Sequence, residues 1–187
     1  DMMRVIAAVE NIELPQDPFM GPAILALTDI VSDPYPGHSV IPSLCRVTYD
    51  RRLLPGETAE QVLGAITARP DLADITLRAE IGVGRYLAYT GAELVCEKFF
   101  PAWLLPETEP FVATSLRALH GAGIPAQTSA YRFCTNAAYS AGIAGVPTIG
   151  FGPATEASAH VIDEYLRLDD LFAAARGYRA IIETVLA

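Results

Sequence analysis

Three side chains near one loop carry the most obvious chemistry in this sequence: His160, Asp163 and Glu164. They close the stretch VPTIGFGPATEASAHVIDE, residues 146–164, in which a short apolar run breaks at Gly-Phe-Gly-Pro before reaching the histidine. A neutral imidazole serves as a metal ligand or a base near neutral pH, and strand-end loops can present such groups on a rigid scaffold. His160 is therefore the candidate metal ligand. One histidine does not complete a site, because a catalytic zinc takes about three protein ligands and a two-metal centre takes more. His38 and His120 lie in other regions, and none of the three histidines stands in an H-x-D or H-E-x-x-H spacing. Read locally, His160 is also compatible with a solvated loop, and Asp163 and Glu164 with first-turn carboxylates that favour a helix start.

Arg52 closes the run Tyr49-Asp50-Arg51-Arg52. A strand-borne guanidinium can grip a carboxylate through two parallel hydrogen bonds. The same pattern also fits pairing with Asp50 on a wet sheet face, and local context favours that reading. Ser39 and His38, just upstream, have donors that could serve an oxyanion. Asn136 follows Thr135 at an expected strand-to-helix junction. Capping alone explains either residue there, although exposed N–H groups at such a junction also suit an anionic group. No G-x-S-x-G motif is present, which argues against a serine nucleophile.

The elements that must position these residues are set by the bulk composition and its periodicity. Of 187 residues 51% are apolar, enough to bury a sizeable core in one domain or two small ones. The net charge of −9 argues against a nucleic-acid surface. No apolar run approaches the ~18 residues of a membrane span, so no membrane partner is expected, and the first residues do not follow a signal-peptide pattern. Cys45, Cys96 and Cys134 are odd in number and unpaired by spacing, as expected of free thiols in a reducing, cytoplasmic compartment.

Residues 2–12 carry an amphipathic helical pattern and 23–31 a short apolar strand. From residue 41 the sequence alternates strictly, with Cys45, Val47 and Tyr49 on one face. Thr58 and Gln61 form a capping box ahead of a helix that runs to about residue 69. Residues 74–83 alternate again and predict a further strand. The order α-β-β-α-β lacks only the first strand of a ferredoxin-like β-α-β-β-α-β unit, which suggests that the chain begins inside a longer protein.

Residues 84–105 concentrate aromatic side chains with little periodicity, and a domain boundary is expected within 84–98. Beyond it the pattern predicts a helix over 110–120, a strand over 126–133, a short helix over 136–143 and a strand at 146–149. A long amphipathic helix follows from about 169, with Leu171, Phe172, Ala175, Tyr178, Ile181, Ile182 and Val185 on its apolar side. Alternating strands and helices make this half an α/β layer.

Taken together these motifs resemble a known family. Gly150-Phe151-Gly152-Pro153, His160 and Asp163-Glu164 before a long terminal helix resemble the end of the acetylornithine deacetylase / succinyl-diaminopimelate desuccinylase / carboxypeptidase family of dinuclear zinc amidohydrolases. Ile41-Pro42, Asp50-Arg51-Arg52 and Pro55-Gly56-Glu57-Thr58 resemble the strand and helix of that family's lid domain. Phe99-Phe100-Pro101-Ala102-Trp103 and Thr135-Asn136 resemble its selenium-metabolism hydrolase branch.

The resemblance implies an α/β fold. Residues 1–84 would be a ferredoxin-like lid and dimerisation domain lacking its first strand, and 85–187 the C-terminal part of the catalytic domain. His160 would be a late metal ligand and Arg52 the lid arginine that holds a substrate carboxylate. Asn136 would contact substrate where many members have Asp. Ser39, thirteen residues before Arg52, would stand where many members place an oxyanion-stabilising Asn. The family's H-x-D, bridging Asp, paired Glu and lid His have no counterpart in these residues and would lie upstream.

The whole enzyme would use two zinc ions, with manganese or cobalt as substitutes. It would cleave an amide, peptide or carbamoyl C–N bond of a small carboxylate-bearing substrate, as a homodimer joined through the lid. This chain alone would be inactive without its upstream half. Two other readings stand beside this one: a non-catalytic dimerisation or small-molecule-binding remnant, and a free-standing ferredoxin-like module with an unrelated α/β tail.

Overall fold

The computed structural model describes residues 1–187, which divide into two units, Asp1–Ala102 and Trp103–Ala187. In the first unit, α1 (Met2–Glu10) places Val5, Ala8 and Val9 on one face. That face closes with Leu72 into a core, flanked by Leu25, Tyr49, Ile66, Ile75 and Leu77. Two short strands, β1 (Gln16–Asp17) and β2 (Gly21–Pro22), pair antiparallel around a turn. The Asp17 carboxylate stabilises that turn by accepting the N–H groups of Phe19 and Met20.

The main hairpin pairs β3 (Ile24–Asp33) with β4 (Leu44–Arg52), from Ile24 opposite Arg52 to Asp33 opposite Leu44, with an irregularity between Leu27 and Asp29. Cys45, Val47 and Tyr49 are the more sheltered residues of the alternating stretch, as expected. Next, α2 (Ala59–Thr67) opens on the expected capping box. Thr58 Oγ1 accepts the Gln61 N–H at 3.2 Å, and Gln61 Oε1 accepts the Thr58 N–H at 2.9 Å.

The expected strand over 74–83 is corrected. Ile75, Leu77, Ala79 and Ile81 are indeed more sheltered than Thr76, Arg78 and Glu80, but residues 76–81 join no ladder, and Gly82 only accepts the Lys98 N–H at 2.7 Å at the end of the next hairpin. The side-chain alternation survives because one face packs on the core. A strand also needs a partner backbone, and the hairpin β3–β4 has only two members.

Residues 84–105, read as irregular, instead contain an antiparallel hairpin of β5 (Val83–Leu87) and β6 (Glu93–Glu97). Its turn closes through Ala88, whose N–H donates to Ala92 at 2.8 Å, and through Gly91 at φ 83°. Only glycine takes that backbone region without a Cβ penalty.

In the second unit, α3 (Pro110–Gly121) starts with proline in its first turn, and the Glu109 carboxylate accepts the N–H groups of Phe111 and Val112. Ala118 and Leu119 of α3 pack with Ile181 of α5 (Leu168–Val185), and Ile149, Phe151 and Ala180 border them. Between these helices lies α4 (Ala137–Ser140), a single turn where residues 136–143 were expected to be helical.

Three expectations fail in this unit. Residues 126–133 and 146–149 form no strand, because neither segment joins a ladder with a neighbour. The buried stripe of α5 is Ala174, Gly177 and Ile181, whereas Phe172 and Ile182 are more than half exposed. Large apolar residues gave the helix its period but not its contact face. Small residues let α5 approach Phe151 and Leu119 closely.

Candidate functional site

In the first unit Arg52 is the last residue of β4 and its guanidinium pairs with Asp50 at 2.9 Å, both side chains about two-fifths exposed. The local reading of Arg52 is thus realised, through an exposed pair that water and salt weaken. Arg51 points instead to Glu57, and both side chains of this pair are 15% exposed. Glu57 also accepts the Leu54 N–H at 2.7 Å, which ties the loop before α2 to the end of β4.

Ser39 lies exposed in the connection between β3 and β4. Eight steps of strand from Leu44 to Arg52, at about 3.3 Å each, span about 26 Å. Ser39 and Arg52 therefore sit at opposite ends of the hairpin and do not meet around one small group within a single chain.

In the second unit the loop ahead of α5 holds His160 and Asp163 at φ 60°, a left-handed backbone that non-glycine residues adopt at a cost. Glu164 Oε2 accepts the His160 N–H at 3.2 Å, so one neighbouring carboxylate braces the loop. The His160 side chain is exposed. Upstream in the same loop, Glu156 accepts the Arg132 N–H at 2.9 Å. This bond anchors the loop next to Tyr131.

Asn136 precedes α4, is exposed and makes no side-chain capping bond. The cap comes from Thr135, whose Oγ1 accepts the Ala137 N–H at 3.1 Å. Of the two capping candidates Thr135 does the structural job, which leaves the Asn136 amide free for another partner.

The residues present at these positions do not make a dinuclear metal centre. No three His, Cys, Asp or Glu side chains in residues 1–187 stand close enough to hold a metal ion. His160 and the neighbouring Glu164 fall short of the three ligands that a catalytic metal centre takes.

The arrangement that sequence reasoning missed is a cleft of about 330 Å³ in the second unit. Its walls include Trp103, Phe111, Tyr131, Thr135, Phe151 and Tyr178. The Tyr178 hydroxyl donates to the Phe151 carbonyl, and the two rings meet edge to face, centroids 5.2 Å apart at 76°. Tyr131 stacks on Phe133 at 4.7 Å, and burial, then Tyr178 and Glu156, push its phenol up. A Cβ at Gly150 would collide with the Tyr131 ring, so the glycine is what admits that ring. The aromatic wall comes from separated segments, and no local spacing announces it.

Residues 1–73 match the peptidase dimerisation domain family. That domain is a ferredoxin-like α+β lid, and the chain has the expected α/β class with small antiparallel sheets. The chain is also similar to the uncharacterized protein YgeY of Escherichia coli K12, 32% identical over 173 residues. The protein of the same name from Escherichia coli O157:H7 matches to the same extent. The matched residues are 90% of this chain and 42% of each relative, so the chain spans less than half the length of these curated relatives. No helix of the chain is long and apolar enough to cross a membrane.

Proposed function

We propose that this chain is the C-terminal portion of a metal-dependent hydrolase that cleaves an amide, peptide or carbamoyl C–N bond of a small carboxylate-bearing substrate. The observation that carries the reading is the match of residues 1–73 to a peptidase dimerisation domain. It supports a lid over 1–84, a catalytic-domain portion over 85–187 and a homodimer through the lid. The selenium-metabolism hydrolase branch and a cytoplasmic setting belong to the same proposal.

In this reading zinc, or manganese or cobalt in its place, supplies a polarised water when bound, with most of its ligands outside residues 1–187. Arg52 leaves Asp50 to hold the substrate carboxylate, a stronger bidentate partner than an exposed neighbour. Asn136 contributes its unused amide to the substrate. Ser39, at the far end of the hairpin, acts on a tetrahedral oxyanion only from a position other than that of Arg52, so the two roles fall on different parts of the assembly. His160 presents an exposed imidazole on a braced loop as a ligand.

The test uses the complete protein. Metal content by mass spectrometry and hydrolysis of a panel of N-acyl amino acids are measured for the wild type, His160→Ala and Arg52→Ala. His160→Ala should lose metal and activity together. Arg52→Ala should raise KM about 10- to 100-fold for carboxylate-bearing amides and little for their neutral analogues. A complete protein that binds no metal and hydrolyses no amide sinks the hydrolase reading and leaves dimerisation or ligand binding as the function.

A further inference from the structure

We propose that Asp50 is a built-in competitor of the substrate carboxylate. It occupies the Arg52 guanidinium while the site is empty, a ligand carboxylate binds by displacing it, and affinity is held below what Arg52 alone would give. The proposal rests on the hydrolase reading above and adds how its carboxylate clamp is tuned.

The strand brings the pair together but leaves it incomplete. Residues two apart on β4 share a face, with Cα atoms about 6.6 Å apart. Arg52 reaches Asp50 through one hydrogen bond, from Nη2 to Oδ2 at 2.9 Å. That is the only bond its guanidinium makes, although the group carries five N–H donors. Two other pairs of this unit show the complete arrangement. Arg4 sends Nη1 and Nη2 to the two carboxylate oxygens of Asp74, and Arg69 sends Nε and Nη2 to those of Asp71. Arg52 thus keeps a fork that a free carboxylate can fill with two parallel bonds.

The neighbouring charges are committed elsewhere. Arg51 belongs to the opposite face of the strand and is held by Glu57, both side chains 15% exposed. Glu57 uses both of its oxygens, Oε1 on Arg51 and Oε2 on the Leu54 N–H. Neither exchanges with the Arg52 pair without breaking a sheltered contact. Arg52 and Asp50 are 40% and 44% exposed, so a ligand reaches them directly. An exposed pair of this kind is weak, and displacing Asp50 lowers affinity by about 1.5- to 5-fold.

Asp50→Asn removes the charge at nearly constant shape. In this chain the Arg52 Nε–Hε signal, identified by its loss in Arg52→Lys, is followed by nuclear magnetic resonance at fixed ionic strength. The probes are N-acetylglycine and its neutral amide, N-acetylglycinamide. The signal should move with the first probe only, and half-saturation in Asp50→Asn should come at a concentration about 1.5- to 5-fold lower. Asp50→Glu, which keeps the charge, should stay nearer the wild type. Should Asp50→Asn lose its circular dichroism, Asp50→Ser replaces it with the same expectation. An equal or higher half-saturation in the neutral variant, or no movement in either protein, overturns the proposal.

In the complete protein Asp50→Asn should lower KM for N-acetyl amino acids by the same factor, with kcat unchanged and neutral amides unaffected. A raised KM would mean that Asp50 orients Arg52 for the substrate, which also overturns the proposal. Turnover of no amide, with the Arg52 titrations as expected, overturns the hydrolase reading and leaves Asp50 as the competitor at a carboxylate-binding site.

Discussion

Gly177 on α5 lies directly against the Phe151 ring: a Cβ at that position would stand 2.7 Å from two ring carbons and 2.8 Å from Leu119 Cδ2. The helix and the Gly-Phe-Gly-Pro segment approach so closely because position 177 has no side chain. Gly177→Ala gains about 0.5–1 kcal/mol of helix propensity but forces Phe151 or Leu119 to move, an overpacking cost of about 1–3 kcal/mol. A net loss of order 1 kcal/mol is expected in urea unfolding followed by circular dichroism. An equal or higher midpoint for the variant would mean that the contact relaxes freely.

Ser115 points the other way. It is 2% exposed in α3, and its hydroxyl has no hydrogen-bond partner. An unpaired buried hydroxyl carries a desolvation cost without compensation, and alanine is the better helix former. Ser115→Ala should therefore stabilise the chain by about 0.5–1.5 kcal/mol, read as a higher urea midpoint at unchanged slope. A lower midpoint would show that the hydroxyl has a bond of its own.

The Arg51–Glu57 pair is sheltered, and Glu57 also holds the Leu54 N–H. Glu57→Ala strands a half-buried guanidinium and a backbone donor together, at about 2–3 kcal/mol. Glu57→Gln keeps an acceptor for Leu54 and should cost less than half of that. If the two variants unfold at the same denaturant concentration, the backbone bond contributes nothing.

Acid should loosen the first unit through Asp74 and Asp71. Arg4 forms two bonds to Asp74, each 2.8 Å, and Arg69 two to Asp71. Hydrogen bonds from those arginines are the largest cause holding both carboxyl groups below the ordinary carboxylate range. A depressed folded-state pKa means stability that is fully present above the unfolded value of about 4 and is lost as pH falls through the lower folded value. Unfolding midpoints measured from pH 6 down to pH 2 should therefore fall below about pH 4. Asp74→Asn should flatten part of that fall, and an unchanged profile would remove Arg4–Asp74 from the account.

Much of the local structure was legible in the residues. The capping box at Thr58 and Gln61, Pro110 in the first turn of α3, and the alternation through Cys45, Val47 and Tyr49 each depend on neighbours a few positions away. The pairing of Arg52 with Asp50 is of the same kind, since two residues on one strand face share a side. The motifs that resemble a lid domain lie in the part of the chain that matches one.

What the amino-acid sequence determined by itself was periodicity: which residues of a segment share a face, and where helices start. Whether such a face meets anything was decided only in three dimensions. Residues 76–81 and 126–133 have the pattern of strands yet no paired strand, whereas 83–97, which looked irregular, closed on itself through Gly91. Ladder formation and cleft formation both require groups far apart in the chain to come within a few ångströms. Trp103, Tyr131, Phe151 and Tyr178 line one cleft from separated segments, and α5 reaches Phe151 because it carries a glycine where its approach is tightest, a distance for which a local pattern holds no term.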